Sequence, residues 1–392
     1  MELVAEPLDL KLAIPFRIAR SVQHEARNVL ARLEVDGLTG IGEGAPKSYY
    51  GETPEGALDA LRYFGRNLGD DPLLIEDIVA RLDRLLAGNA AAKAAIDMAL
   101  YDLIGQRLGV PVYRLFGLNP ARAPYTSYTI SIDTPEEMAQ RALRAQEYPI
   151  LKVKLGTRHD LKIVQAIREV SDATLRVDAN AGWTPKEAIR MIHMLEPYNI
   201  EFVEQPVARG DLEGLRLVRE HVALPIIADE SCVTPEDVAR VAPYVDGINI
   251  KLMKCGGLHR ALEMIHVARA HHLQVMIGCM VESSLAITAA AHLTPLADYA
   301  DLDGALLLAQ DPYEGVTLRG GKIVLPDRPG LGVRARAGGA RRPGRREGAM
   351  TGAGDEAAPA ANGQREVGTA ASISGVAGSG VAAPSGSSGE EE

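Results

Sequence analysis

The chain has 392 residues, of which 46% are hydrophobic and 24% charged, and it carries a net charge of −10. That length and apolar content allow two or three domains around a large core, while the acidic balance argues against nucleic acid or an anionic membrane as a partner. Three cysteines (Cys232, Cys255 and Cys279) are too few and too uneven for a disulfide framework and fit a reducing compartment.

In chain order, the opening MELVAEPLDLKLAIPF places acids where a signal peptide needs a basic end and then an apolar run. The longest apolar stretches are broken by Gly, Glu or His well before a membrane-spanning length, so a cytoplasmic protein is expected. NVLARLEV alternates as antiparallel strands do, and GEGAPKSYYGET reads as a loop. LDALRYFGRNL and AAAKAAIDMALYDLIGQRLG then show helical periodicity. Residues 1–120 are therefore predicted as an α+β capping domain whose loops can lid a neighbouring site.

From about residue 125, short β-rich runs alternate with helical stretches: YTISI, ILKVKL, LRVDA, IEFVEQ, PIIAD, GINIKL, LQVMIG and ADLDGALLL. Helix starts carry the signal Thr-Pro-x-Glu/Asp at Thr134, Thr184 and Thr234, with Thr at the N-cap, Pro first in the helix and an acid returning a hydrogen bond. One residue from each strand end gives the series Thr129, Lys154, Asp178, Glu204, Asp229, Lys251, Gly278, Asp301, with gaps of 25, 24, 26, 25, 22, 27 and 23. Eight βα steps of near-constant period predict a closed (β/α)8 TIM-type barrel over residues 121–310, with every strand end at one mouth. An open doubly wound sheet has fewer steps and a glycine-rich phosphate loop, which is missing here. Residues 311–333 are predicted to return to the capping domain. After Val333 the chain turns to RARAGGARRPGRRE and a Gly, Ala, Ser and Pro tract, so 334–392 is predicted to be a disordered tail.

Taken singly, the charged strand ends have structural readings: a turn at Asp178-Ala-Asn180, a terminus at Glu204-Gln-Pro206, a loop at Asp229-Glu-Ser231. Three consecutive strands, however, bring three carboxylates to one region, where they would repel unless a cation lay between them. An all-oxygen set suits one Mg²⁺ per subunit, and the scarcity of histidine at these ends disfavours zinc. In LKVKLG, Lys152 and Lys154 share one face of a strand. A guarded sheet edge would explain two such lysines, but a closed barrel has no edge. Lys154 and Lys251 lie on the second and sixth strands, across the barrel from each other. Two amines flanking a cation can take a proton from one face of a carbon and return it to the other, the cation holding the adjacent carboxylate and stabilising the enediolate. Burial, the metal and the neighbouring Lys152 are expected to lower the base's pKa.

LKVKLG, RVDANAGW, EFVEQP, IADES and NIKLMKCGG together resemble the enolase superfamily, in particular its muconate lactonizing enzyme-like subgroup, over residues 1–333. The superfamily's pairing of a Lys base with Mg²⁺ is well known. Within it the chain is similar to dipeptide epimerases, whose mark is an Asp-x-Asp at the eighth strand, here Asp301-Leu-Asp303. The resemblance implies that Asp301 and Asp303 bind a dipeptide's α-ammonium group and that Thr129, Lys152, Cys279 and Val281 line the dipeptide. It implies an isomerase of the L-Ala-D/L-Glu type, active on murein peptide fragments, with a small-molecule partner and a homo-oligomeric state. Read alone, DLDG is an ordinary turn. The resemblance also carries one departure. Members selecting a C-terminal Glu have a first-loop arginine, whereas ungapped matching of PFRIARSVQHEA puts Ser21 there, with Arg17 and Arg20 nearby. Tyr49, Tyr50 and Glu52 are candidates to close on the second side chain.

N-acylamino acid racemase, o-succinylbenzoate synthase and cycloisomerase are rivals on the same fold, yet none needs an ammonium-binding Asp-x-Asp. A pyridoxal-phosphate barrel racemase accounts for one lysine but not for three convergent carboxylates. A non-catalytic metal-binding scaffold has no use for paired bases. Trp183 and the cysteines read as packing residues near the mouth, apart from a backbone contact at Cys279.

Overall fold

Two long strands, β1 (Glu2–Ile18) and β2 (Ser21–Val35), pair antiparallel, and β3 (Leu38–Gly44) joins β2 through an Asp36-Gly37 turn. Both turn residues have positive φ (51° and 78°), the twist that a two-residue hairpin needs. This is a computed structural model, and it describes residues 1–336. Three helices cover the sheet: α1 (Pro54–Gly65), α2 (Ile75–Leu85) and α3 (Ala90–Leu108). Gly40, Gly42 and Gly44 alternate along β3 against Ala99, Ala95 and Ala91 at helical spacing on α3. A Cβ on these glycines would lie only 2.0, 2.0 and 2.4 Å from the alanine carbonyl oxygens. Small residues on both elements thus let strand and helix backbones touch.

The eight remaining main strands are β4 (Tyr128–Ile130), β5 (Ile150–Lys154), β6 (Thr174–Asp178), β7 (Ile200–Glu204), β8 (Ile226–Ala228), β9 (Gly247–Lys251), β10 (Gln274–Gly278) and β11 (Tyr299–Asp301). They form one parallel sheet in chain order. A Thr126–Ala300 bridge and a Ser127 N–H donated to Ala300 O at 3.2 Å close it into a barrel. Thr134, Thr184 and Thr234 cap helices that begin at the following proline. The return bond of the capping box forms at Thr184 and Thr234. It fails at Thr134, whose N–H is already donated to Asp133 Oδ1 at 3.0 Å. β11 also departs from the regular repeat, because a 3-10 turn (Gly304–Leu307) follows it in place of a helix.

The chain then runs back to the cap helices, where Leu331 N–H donates to Asp102 Oδ1 on α3 at 2.8 Å. His292 braces this return. Tyr113 N–H donates to its Nδ1 at 3.2 Å, so Nε2 carries the proton and meets Leu331 O at 3.1 Å. Arg334–Ala335 pairs with Tyr313–Glu314, so regular structure continues past Val333, where the composition changes. The remainder of the predicted tail, 337–392, lies outside the described residues. Among the described residues no helix is long and apolar enough to cross a membrane.

The cap meets the barrel mouth through buried polar groups. Glu43 accepts from Asn28 Nδ2 at 2.7 Å and from Ser283 N–H at 3.1 Å, while Asn28 also donates to Val281 O at 3.1 Å. The loop after β10 is thereby fastened to β2 and β3.

Candidate active site

The ends of β6, β7 and β8 bring Asp178, Glu204 and Asp229 together, with one carboxylate oxygen from each lying within 4.8 Å of the others. All three are buried. The backbone that delivers them is itself held in place. Gln205, directly after Glu204, adopts the left-handed region at φ 38°. This costly conformation is offset by its side chain, which accepts from the N–H groups of Asp229 and Ser231 and donates to Val207 O and Ser231 Oγ.

Sequence reasoning treats the carboxylates as mutually uncompensated; the structure shows ammonium groups among them. Lys154 Nζ sits 2.6 Å from Asp178 Oδ2, Lys251 Nζ 2.7 Å from Asp229 Oδ2, and Lys254 Nζ 2.7 Å from Asp229 Oδ1. Lys152 Nζ reaches Glu204 at 2.6 Å, Asp301 at 2.7 Å and Asp178 at 3.2 Å. Lys152 and Lys154 are thus neighbours on the same Asp178 Oδ2, and three carboxylates surround Lys152. Burial opposes the Lys152 charge, but Asp301, Glu204 and Asp178 outweigh it and hold the ammonium well above its usual pKa. Lys251 departs from the lowering expected of the base: burial and Lys152 oppose its charge, but Asp229 and Glu204 outweigh them and raise its pKa. Glu204 remains above the usual carboxylate range, through burial first and then Asp178, so anionic repulsion persists despite the lysines. Three hard oxygen donors with residual repulsion fit a divalent cation such as Mg²⁺.

A cavity above this cluster is lined by Thr129, Lys152, Lys154, Asp229, Lys251, Cys279, Val281, Asp301 and Asp303, which the sequence reading also singles out. Asp178 and Glu204 do not line it. Asp301 accepts from Ser127 Oγ and Lys152 Nζ, both at 2.7 Å, and its pKa is lowered because Lys152 and Lys154 overcome burial. Asp303 accepts from Thr129 N–H at 2.6 Å and Thr129 Oγ1 at 3.1 Å. Burial and then Asp301 hold Asp303 above the usual range. Asp301 thus already has a cation, while among the described residues Asp303 has only neutral donors.

The capping loops supply the outer wall. Arg20 lines the cavity but is already paired: it donates to Glu230 Oε1 at 2.6 Å and Asn180 O at 2.8 Å, with its guanidinium 4.1 Å from the Tyr49 ring centroid. Ser21, Tyr49 and Tyr50 line the cavity. Glu52 does not; its carboxylate accepts from Ala91 N–H at the start of α3. Trp183 packs as expected and also donates to Asp160 at 2.8 Å.

Four residues with no role assigned from sequence belong to this neighbourhood. Glu230 anchors Arg20, and Asn249 donates to Glu204 Oε1 at 2.7 Å. Lys254 lies within NIKLMKCGG, three residues after Lys251, and that spacing was its only sequence signal. Lys47, in the loop GEGAPKSYYGET, lines the cavity, and its nearest polar partner is Gln23 Oε1 at 3.4 Å. Among the described residues no carboxylate lies within ion-pair distance of Lys47, and burial lowers its pKa to about 8.

Two family profiles match the chain: "Mandelate racemase / muconate lactonizing enzyme, N-terminal domain" over residues 2–117 and "Enolase C-terminal domain-like" over residues 135–338. An L-Ala-D/L-Glu epimerase of Bacteroides thetaiotaomicron is 41% identical over 335 residues, covering 85% of this chain and 88% of that protein. A hydrophobic dipeptide epimerase of Enterococcus faecalis is 42% identical over 341 residues, covering 83% and 96%. The crystal structure of a dipeptide epimerase from E. faecalis, complexed with Mg and L-Leu-L-Tyr, superimposes with a TM-score of 0.82 at 40% identity, covering 85% of this chain and 98% of that one.

Proposed function

The chain belongs to the mandelate racemase/muconate lactonizing enzyme family of the enolase superfamily and is an isomerase of the epimerase class; from that premise we propose that it is a Mg²⁺-dependent dipeptide epimerase. It inverts the α-carbon of a dipeptide's C-terminal residue, with substrates of the L-Ala-D/L-Glu type.

Asp178, Glu204 and Asp229 would hold the cation, which as a Lewis acid would polarise the substrate carboxylate and acidify the α-proton. Lys154 and Lys251 stand on opposite sides of the barrel. One removes the α-proton and the other delivers a proton to the opposite face, inverting the centre by way of an enediolate. Lys152, held charged by its three carboxylates, is a fixed cation that adds electrostatic support to the developing negative charge.

The observation that carries the dipeptide reading is the buried Asp301/Asp303 pair on the cavity wall, of which Asp303 has no cationic partner in hydrogen-bond contact among the described residues. A free α-ammonium group supplies that charge, and Thr129, Cys279 and Val281 flank it. Lys47 supports the acidic side-chain preference. Its ammonium lines the outer cavity with no carboxylate in ion-pair distance among the described residues, whereas Arg20, on the same wall, is neutralised by Glu230. The decisive experiment is a dipeptide library screened for α-proton exchange in deuterated water, with and without chelator. Exchange of L-Ala-L-Glu that stops when metal is removed is the expected result. Comparable turnover of an N-acyl amino acid and the best dipeptide would move the assignment to the racemase rival.

A further inference from the structure

Lys254 is 2% exposed, does not line the cavity and has no part in the proton transfer described above. It sits on a one-turn helix (Leu252–Cys255) that leaves the end of β9. Its ammonium meets Asp229 Oδ1 at 2.7 Å and the carbonyls of Asp229, Asn249 and Cys232 at 2.6, 2.8 and 2.9 Å. Four acceptors around three N–H donors leave nothing for a substrate. The Asp229 carboxylate is consequently divided between two lysines, Oδ1 to Lys254 and Oδ2 to Lys251. Asn249, whose carbonyl takes one of the Lys254 bonds, uses its side chain to hold Glu204. The end of β9 therefore secures two of the three carboxylates while presenting Lys251 to the cavity.

Resting on the reading of the triad as a Mg²⁺ site, we propose that Lys254 is a positioning residue: a fixed ammonium behind Asp229 that sets its orientation toward the bound cation. The physical need is plain. A carboxylate at a strand end rotates about its side-chain torsions, and Lys251 cannot restrain it continuously if it must also give up and accept a proton. An ammonium pinned by three backbone carbonyls restrains one oxygen throughout the cycle and ties it to the loop ending at Cys232. Residues that orient ligands in this way are typically worth about 10–100-fold in metal affinity.

The test is calorimetric titration of Mg²⁺, without substrate, into the full chain and its Lys254→Met and Lys254→Arg variants, with thermal melts as a control for folding. The expected result is that Lys254→Met melts cooperatively yet binds Mg²⁺ about 10–100-fold more weakly. Lys254→Arg, which keeps the charge but not the compact shape, should fall between it and the wild type. Turnover lost at low Mg²⁺ should return as Mg²⁺ is raised, moving the metal requirement more than kcat. A cooperatively folded Lys254→Met with Mg²⁺ affinity within about twofold of wild type overturns the proposal. So does loss of cooperative melting in both variants, which makes the residue a purely structural one. Wild type that takes up no Mg²⁺ would defeat the metal reading itself, a distinguishable failure.

Discussion

Lys154 and Lys251 rest against Asp178 and Asp229 at 2.6 and 2.7 Å, on strands that face each other across the barrel. On the proposed mechanism each serves one stereoisomer as base and the other as acid. Lys154→Ala is therefore expected to abolish deuterium exchange from one epimer while exchange from the other survives through Lys251, and Lys251→Ala should show the mirror pattern. Exchange is read by mass spectrometry from each pure epimer. A folded, metal-bound mutant that still epimerises near the wild-type rate would refute the two-base scheme. The Asp301/Asp303 pair gives a second expectation. N-acetylation of the best dipeptide removes the charge those carboxylates would meet. Leaving one side of a buried charge pair unmatched costs about 3–5 kcal/mol, so kcat/KM should fall by at least two orders of magnitude. Asp303→Asn should narrow the gap between the free and acetylated substrates, because it removes the carboxylate that lacks its own lysine.

Among the elements, β3 and α3 depend most visibly on residue size. Gly42→Ala would put a methyl group against the Ala95 carbonyl at 2.0 Å, and a backbone oxygen cannot swing aside as a side chain can. The sheet and helix must separate, at an expected cost of about 1–3 kcal/mol in a denaturant melt. The same shift would disturb Glu43, the next residue on β3, which holds Ser283 in the loop after β10. Substrate KM should thus rise along with the loss of stability. A Gly42→Ala protein as stable as wild type would mean that α3 has slack the structure does not show. The helix caps show how far local sequence reaches. Thr184 and Thr234 form the predicted box, but at Thr134 the neighbouring Asp133 competes for the same N–H.

Across the whole molecule, the return of the C-terminal segment to the cap is braced by His292, a residue that carries no catalytic signature. Burial lowers its pKa from 6.5 to about 4, outweighing the bond to Leu331 O, which favours the charged ring, while Nδ1 must stay unprotonated to accept from Tyr113 N–H. The sign follows directly. Between these two values the unfolded chain binds a proton that the folded chain does not, so stability falls as pH drops from about 6.5 toward 4. The full shift corresponds to about 3 kcal/mol. Melts across this range should show that decline in wild type and a flatter profile in His292→Gln, which is less stable near neutrality. An equally steep acid slope in the variant would assign the effect to other groups.

How much of this was legible beforehand depends on the range of each interaction. Strand-end spacing near 25 residues, Thr-Pro helix starts and the motifs around Asp178, Glu204, Asp229, Lys154 and Lys251 are local patterns. Backbone geometry turns them into a barrel with its charges at one mouth, so the sequence by itself determined the fold, the carboxylate cluster and the facing lysines. Charge compensation was decided only by the tertiary structure. Lys152 meets Asp301 across 149 positions, and Arg20 meets Glu230 across 210. No spacing rule foretells which buried amine will settle on which carboxylate. That choice decides which carboxylates hold Lys152 beside Lys154, and whether the Arg20 charge at the cavity wall is already matched. It also makes Lys254 the holder of Asp229. Electrostatic energy depends on distance through space and on the water excluded along the way, and both exist only once the chain has closed on itself.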